Sequence, residues 1–450
     1  MTIENLQRDR NEAALADFTR AIELDPDYVW ALYQRGQILR DQGRREEALA
    51  DFQHAAEIEP DDSAVQAELG ETLRLLRRHA ESVAAFTLAI EIDPEYAWAL
   101  GSRGQTYRAM RSYPEALADF ERALALKPDM AWVAAERAET LKALGRYDEA
   151  IIGFTCAITL DPGYIWAIGH RAICYREQNR YAEAVADLDR AIELAPPQAW
   201  LFAERGESRR LLEQLDEALD DLNHALEIDP EYAWALGSRG AAYRSAGQVD
   251  EALADFVRAL EIDPEYVWVI MQRGTLHRSA GRQDEALADF SRAIALDPRH
   301  SGAYAERGEI YRLRREYEQA LTDFTQSIEL RPEYAWALGS RGQTYRALGR
   351  YEEAIADLSH ALELRPEAGW AVAERGECYR QLKQFDEAIA DFTHALELNP
   401  KDSWTLGRRG AAYQSMEIFE EAFIDLSRAI ELDPENAWAW AQRGSLFRQM

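Results

Sequence analysis

Lysine is almost missing from this chain: of 51 basic residues only Lys127, Lys142, Lys383 and Lys401 are lysines, and the rest are arginines, which suit planar ion pairs and stacking. Cysteine is equally scarce. Cys156, Cys174 and Cys378 fall inside helical patterns and make no disulfide framework, so nothing calls for an oxidising compartment. No run of about 18 apolar residues and no N-terminal apolar signal segment is present, so membrane spanning and secretion are not indicated and a cytoplasmic protein is expected. There is no P-loop, no G-x-S-x-G and no dinucleotide fingerprint. The histidines do not fall in metal-ligand spacings with cysteine or carboxylates; His54, His224, His360 and His394 recur at one place on an outer helix and read as surface residues. No catalytic residue, metal ligand, cofactor or enzyme activity is therefore expected. Positive charge is in deficit as well: 81 acidic residues leave the chain at −30, a coat that repels DNA, RNA and anionic membrane.

What the chain has in abundance is repetition. Pro26, Pro60, Pro94, Pro128, Pro162, Pro196, Pro230, Pro264, Pro298, Pro332, Pro366, Pro400 and Pro434 fall 34 residues apart without an insertion or deletion. The fifteen residues from Glu95 to Ala109 recur letter for letter from Glu333 to Ala347, a separation of 238, or seven periods. A period of this size means stacked supersecondary units, each burying its face against its neighbours. With the ruler proline as position 32, complete units start at residues 29, 63, 97 and onward. The division is then a partial repeat over 1–28, mainly a second helix, twelve complete units over 29–436, and an unpaired first helix over 437–450. A seven-repeat block beginning at 29 recurs from 267.

Within one unit, Leu100, Gly104 and Tyr107 mark a first amphipathic helix (A), and Leu117, Phe120 and Leu124 a second (B). Gly43, Gly145, Gly247, Gly281 and Gly349 stand where helix A ends and a left-handed cap is wanted. Small residues at positions 8, 20 and 27, aromatics or leucine at 11 and 24, and the proline at 32 together resemble the tetratricopeptide repeat family, over essentially the whole chain. That resemblance implies an all-α α-solenoid: a right-handed superhelix of 34-residue helix-turn-helix repeats, helix A lining a concave groove in which a partner is bound.

Two positions depart from, or elaborate, the pattern. Arginine recurs at position 7, where the family has leucine, and aspartate usually faces it at 23, as in Asp119, Asp187 and Asp357; an ion pair buried within each repeat is expected. Tryptophan recurs at position 2 as Trp30, Trp98, Trp132, Trp166, Trp200, Trp234, Trp268, Trp336, Trp370, Trp404 and Trp438. Helical spacing puts positions 2, 5, 9 and 12 on one stripe. Position 5 is mostly Gly or Ala, which calls for something close above it, either a neighbouring indole lying flat or a ligand backbone. Position 12 is basic, including Arg108, Arg176, Arg210, Arg244, Arg278 and Arg346, and position 6 alternates between Glu and other residues, so the stripe repeats over 68 residues. These tryptophans and arginines are the candidate partner-binding residues; the same features also suit plain packing of unit on unit.

Three functions compete. The first is a non-enzymatic scaffold that binds a peptide or protein along the groove. The second is structural: an array opening at position 7 and closing at position 14 is either a fragment or self-associates head to tail as a filament. The third is single-stranded nucleic acid stacking on the tryptophans, which the charge disfavours. The lysine and asparagine carboxylate clamp of chaperone-tail-binding relatives is absent from positions 2, 5, 6 and 9.

Overall fold

The structure, a computed structural model, describes residues 3–194 and 196–450, with side chains from residue 10 onward. Among the described residues there are 26 α-helices and no strand. The chain divides into two units, Met1–Ala242 and Tyr243–Met450. Each is an all-α solenoid in which a 13-residue helix A, such as Ala97–Ala109 or Ala335–Ala347, precedes a 14-residue helix B, such as Tyr113–Leu126 or Tyr351–Leu364. The first unit opens with a single 22-residue helix, Ile3–Leu24, and the second ends with Ala437–Gln449. Within each unit consecutive helices pack on one another, as Ala97–Ala109 does on Tyr113–Leu126, and helices A of neighbouring repeats also meet, as Ser63–Leu75 does Ala97–Ala109.

The local chemistry explains the hairpins. Helix A stops because position 15 takes a left-handed conformation: φ is 73–79° at the five glycines named above and 59–62° at Arg77, Arg111, Asn179, Glu213, Arg315, Lys383 and Glu417. Helix B stops before the ruler proline, whose ring disfavours an α conformation in the preceding residue. The aspartate ahead of that proline then closes the turn: Asp93 accepts from the Glu95 amide at 3.1 Å, and Arg122 of the next helix B donates to the Pro94 carbonyl at 2.7 Å.

Packing follows size complementarity. Phe52, Phe86, Phe120, Phe154, Phe256, Phe290, Phe324 and Phe392 at position 24 are fully buried, each contributing about 3 kcal/mol by removal from water. The ring fits because position 8 opposite is small; a Cβ placed on Gly104 would stand 2.6 Å from Phe120 Cε1. The alanines at 20 and 27, such as Ala116 and Ala123, are likewise at 0% exposure, so backbones approach closely on both sides of the aromatic layer.

The ion pair within the repeat is present. Arg103 Nε and Nη2 donate to the two Asp119 carboxylate oxygens at 2.7 Å, and Nη1 reaches Thr87 Oγ1 of the preceding helix B at 3.0 Å. The fork recurs at 2.5–3.0 Å in Arg35–Asp51, Arg171–Asp187, Arg205–Asp221, Arg273–Asp289, Arg307–Asp323, Arg341–Asp357, Arg375–Asp391 and Arg409–Asp425. Its third donor finds Thr155, Thr325 and Thr393 in the same way, so one guanidinium ties helix A to its own helix B and to the previous one. Arg137, which faces Gly153, turns instead to Glu121 at 3.0 Å. The repeat lacking both charges packs Leu69 and Ala85 with Leu49, Leu73 and Leu76.

Removing one charge of such a pair leaves the other buried and unpaired. Asp119→Ala should therefore lower the unfolding free energy by about 3 kcal/mol, whereas Arg103→Leu with Asp119→Ala, the combination found in the Leu69 repeat, should recover most of that loss. Urea titrations of the three variants would check it; a double variant as unstable as the single one would refute the compensation.

A candidate partner-binding face on the helix A stripe

The tryptophan at position 2 lies across the helix A of the repeat before it. A Cβ on Gly169 would stand 2.3 Å from Trp200 Cη2; the same construction gives 2.6 Å for Gly101 with Trp132, 2.3 Å for Gly339 with Trp370 and 3.1 Å for Gly407 with Trp438. Glycine is needed there because the indole occupies the volume of its missing side chain. Of the two occupants that small residues at position 5 could accommodate, a neighbouring indole is the one present. In the intervening repeats position 5 is alanine, and Ala67, Ala135, Ala203, Ala305 and Ala373 are all buried.

The two repeats without this tryptophan complete the rule. Ala64 and Gly302 stand at position 2 where the preceding position 5 holds a large residue, Tyr33 and Met271 respectively. Tyr33 packs edge-on to Phe52 with centroids 6.0 Å apart, and its hydroxyl meets Glu68 Oε1 at 3.3 Å. Burial and the Glu68 charge push that phenol well above the ordinary tyrosine range. Bulk is thus exchanged across the interface between repeats, large against small in either order.

The indoles are held on other sides too. Tyr96, Tyr164, Tyr232, Tyr266 and Tyr334, two residues before a tryptophan, lie 5.9–6.0 Å from it between ring centroids. Phe86 and Phe154 of the preceding helix B meet Trp98 and Trp166 edge-on at 6.1 and 6.0 Å. Even so, the stripe is not sealed. Trp98, Trp132, Trp166, Trp200, Trp234, Trp268, Trp336, Trp404 and Trp438 are half-buried, while Trp30 and Trp370 are 55% and 44% exposed. Open clefts lie along it: about 790 Å³ beside Trp98 and Trp132, about 570 Å³ beside Tyr28, Trp30 and Tyr33, and about 320 Å³ beside Trp336 and Trp370.

The position-12 arginines are engaged. In one set of repeats they reach glutamate at position 6 of the next repeat: Arg108 to Glu136 at 2.8 Å, Arg176 to Glu204 at 3.1 Å, Arg278 to Glu306 at 2.9 Å, and Arg346 to Glu374. Gln105 and Gln343 share two of those carboxylates. In the alternate set the cation is held by glutamate at position 9 of its own helix, as in Arg210–Glu207, Arg312–Glu309 and Arg380–Glu377 at 2.6–2.7 Å. Arg244 stands in the last turn of Ala233–Ser245, where the helix dipole favours a cation. Burial raises the carboxyl pKa of Glu204 and Glu306 against the pull of their arginines. At Glu139 burial acts in the same direction, but His170 and Lys142 outweigh it and hold the group at about 2.

Within each unit the structure therefore brings the predicted tryptophans and arginines onto helix A in register and adds the position-6 glutamates as partners of the arginines. The signal for those partners was the 68-residue alternation, in which glutamate at 6 and at 9 occurs in the same repeats. The buried thiols of Cys174 and Cys378 are pushed up to about 12 by desolvation and are unreactive.

Comparison with known proteins gives a consistent picture. Profiles of the tetratricopeptide repeat match residues 5–39, 29–62, 64–96, 97–130, 167–198, 233–266, 269–300, 300–367 and 372–402, and a protein prenyltransferase alpha subunit repeat profile matches 419–450. No curated protein is similar in sequence at a significant level. Among solved structures, the APC/C hetero-tetramer Cut9–Hcn1 matches at 16% identity over 98% of this chain and 94% of its own, with a TM-score of 0.55, which supports the fold. YrrB, described as a TPR protein with an unusual peptide-binding site, matches at 24% identity over 42% of this chain and 97% of its own, with a TM-score of 0.37. Yeast Tom70 matches at 16% over 94% and 96%, with a TM-score of 0.39.

Alanine is about 1 kcal/mol the better helix former, yet Gly169→Ala should destabilise the chain by about 1–3 kcal/mol, because the new methyl drives into Trp200. In a Trp200→Ala background the same change should be neutral or stabilising. A double-mutant cycle by urea denaturation checks this, and additive effects would show that the two positions do not meet.

Proposed function

The chain belongs to the tetratricopeptide repeat family, and on that footing we propose that it is a non-enzymatic, cytoplasmic scaffold that holds a peptide or protein segment along its helix A stripe. The observation that carries this reading is the half-open tryptophan ladder. Eleven indoles recur at one register position, and clefts beside them remain open after the repeats have packed. Tryptophan held rigid by its neighbours and still reachable is the kind of anchor on which binding energy concentrates. Among the described residues no helix is long and apolar enough to cross a membrane. Nucleic acid is the poorer occupant, since the arginines of the stripe are largely engaged with glutamates and the net charge is −30.

Peptides selected from a displayed random library should bind the chain, and Trp370→Ala should weaken them at least tenfold while leaving the helical circular dichroism unchanged. That indole is 44% exposed, so much of its face remains reachable by a peptide. Binding unaffected by removal of Trp370 and of Trp30 would reject the stripe as the binding face.

Self-association is a second reading, favoured by one observation. The last helix presents Trp440 at 48% and Phe447 at 58% exposure, the latter against Phe423 of the preceding helix with ring centroids 5.7 Å apart. Sedimentation at two concentrations tests it: the sedimentation coefficient should rise with concentration, and a monomer at both ends the reading.

A further inference from the structure

Inside most repeats the contact between helix A and helix B has the same two parts. The position-7 arginine forks the position-23 aspartate, and the position-24 side chain occupies the space above the small residue at position 8. A Cβ on Gly36, Gly104, Gly274 or Gly410 would stand 2.6–2.9 Å from that side chain of its own repeat, Phe52, Phe120, Phe290 or Leu426 respectively.

Helix Ala437–Gln449 displays the helix A half of this contact uncovered. A Cβ placed on Gly444, at position 8, would have nothing within 4 Å. Trp440, at position 4, and Phe447, at position 11, are exposed beside it, although position 4 is buried in Leu100, Ile168, Leu338 and Leu406. Arg443, at position 7, makes the third bond of the fork, from Nη1 to Ser427 Oγ of the preceding helix B at 3.2 Å, and lies 4.6 Å from the Trp440 ring centre. Among the described residues no carboxylate receives its Nε and Nη2.

Helix Ile3–Leu24 displays the helix B half. Ala14, Asp17, Phe18 and Ala21 stand at positions 20, 23, 24 and 27. Asp17 is exposed and Phe18 half-buried, whereas Asp51 and Phe52, their counterparts one repeat later, are buried. One half therefore offers a guanidinium beside an open glycine, and the other offers a carboxylate beside a protruding phenyl ring.

We propose that a second copy of the chain joins these halves. Ala437–Gln449 of one copy packs on Ile3–Leu24 of the next as helix A packs on helix B, with Arg443 forking Asp17 and Phe18 seated on Gly444. The proposal rests on the self-association reading and names both of its surfaces. Burial of Phe18, Trp440 and Phe447 supplies the driving force, and the bidentate fork fixes the register while offsetting the desolvation of its own two charges. Either face paired with its own copy would set Asp17 against Asp17 or Arg443 against Arg443, which like charge disfavours. The contact is consequently heterologous: two joined copies still present one face of each kind, so further copies add.

The test is sedimentation velocity of the full chain over roughly a hundredfold range of concentration, since mass action drives growth. Asp17→Arg sets two arginines face to face and should weaken association at least tenfold. Gly444→Phe fills the seat of Phe18 and should do the same. Both positions are exposed, so helical circular dichroism should be unchanged, and Asp216→Arg, the same charge change at another exposed site, should associate like the wild type. An equimolar mixture of the Asp17→Arg and Gly444→Phe chains retains one intact face of each kind and should form a one-to-one dimer that grows no further. Undiminished association in either variant, or a mixture that stays monomeric, overturns the pairing and spares self-association through another surface. A wild-type chain that is monomeric throughout ends both, and peptide capture along the stripe is unaffected by either result.

Discussion

An indole laid over the backbone of the previous helix A is the contact on which the architecture turns. It sets how near consecutive helices A can come, because the ring must occupy the space of a missing side chain at Gly101, Gly169 or Gly339. It also couples two positions far apart in sequence. Where position 5 is Tyr33 or Met271, the following position 2 shrinks to Ala64 or Gly302, so the bulk at the interface is roughly preserved while its owner changes. Such exchange is expected of close-packed interiors, where a void and an overlap both cost stability.

Electrostatics divides the same molecule into three layers. The outer helices and turns carry most of the acidic excess, and several aspartates there also shape the proline turns, as Asp93 does. Inside each repeat the Arg–Asp fork fixes the register of helix A on helix B and, through its third donor, on the preceding repeat. Desolvation offsets much of that attraction, so its worth lies in specifying one alignment among several that apolar contacts alone would tolerate. Along the stripe, arginines and glutamates alternate so that charge is largely neutralised between neighbours. The consequence for binding is that the indole faces, more than free charge, are what the stripe offers to another molecule.

How far this was legible in the sequence depends on the range of the interaction. The 34-residue proline grid, the glycines at the ends of helix A and the small residues opposite position 24 report constraints within a single hairpin, and they sufficed for helices and turns. The Arg–Asp fork was readable for the same reason, since its partners are sixteen residues apart and both vanish together at Leu69 and Ala85. The contacts of the ladder were less so. That small residues at position 5 wait for an indole, and that Arg108 reaches Glu136, are relations between repeats, and periodicity alone does not say which neighbour fills a gap.

Sequence by itself therefore determined the architecture and the membership of the stripe: an all-α array of 34-residue hairpins with tryptophan and arginine in register on helix A. Tertiary structure decided what those residues do to one another. It lays the indoles over Gly169 and its equivalents, pairs the arginines with particular glutamates, and leaves open the clefts beside Trp98, Trp132, Trp336 and Trp370. The physical reason is that hydrogen bonding and turn chemistry act over a few residues and leave a periodic signature. Burial depends on how neighbouring repeats meet, and that is settled only when side chains compete for the same space.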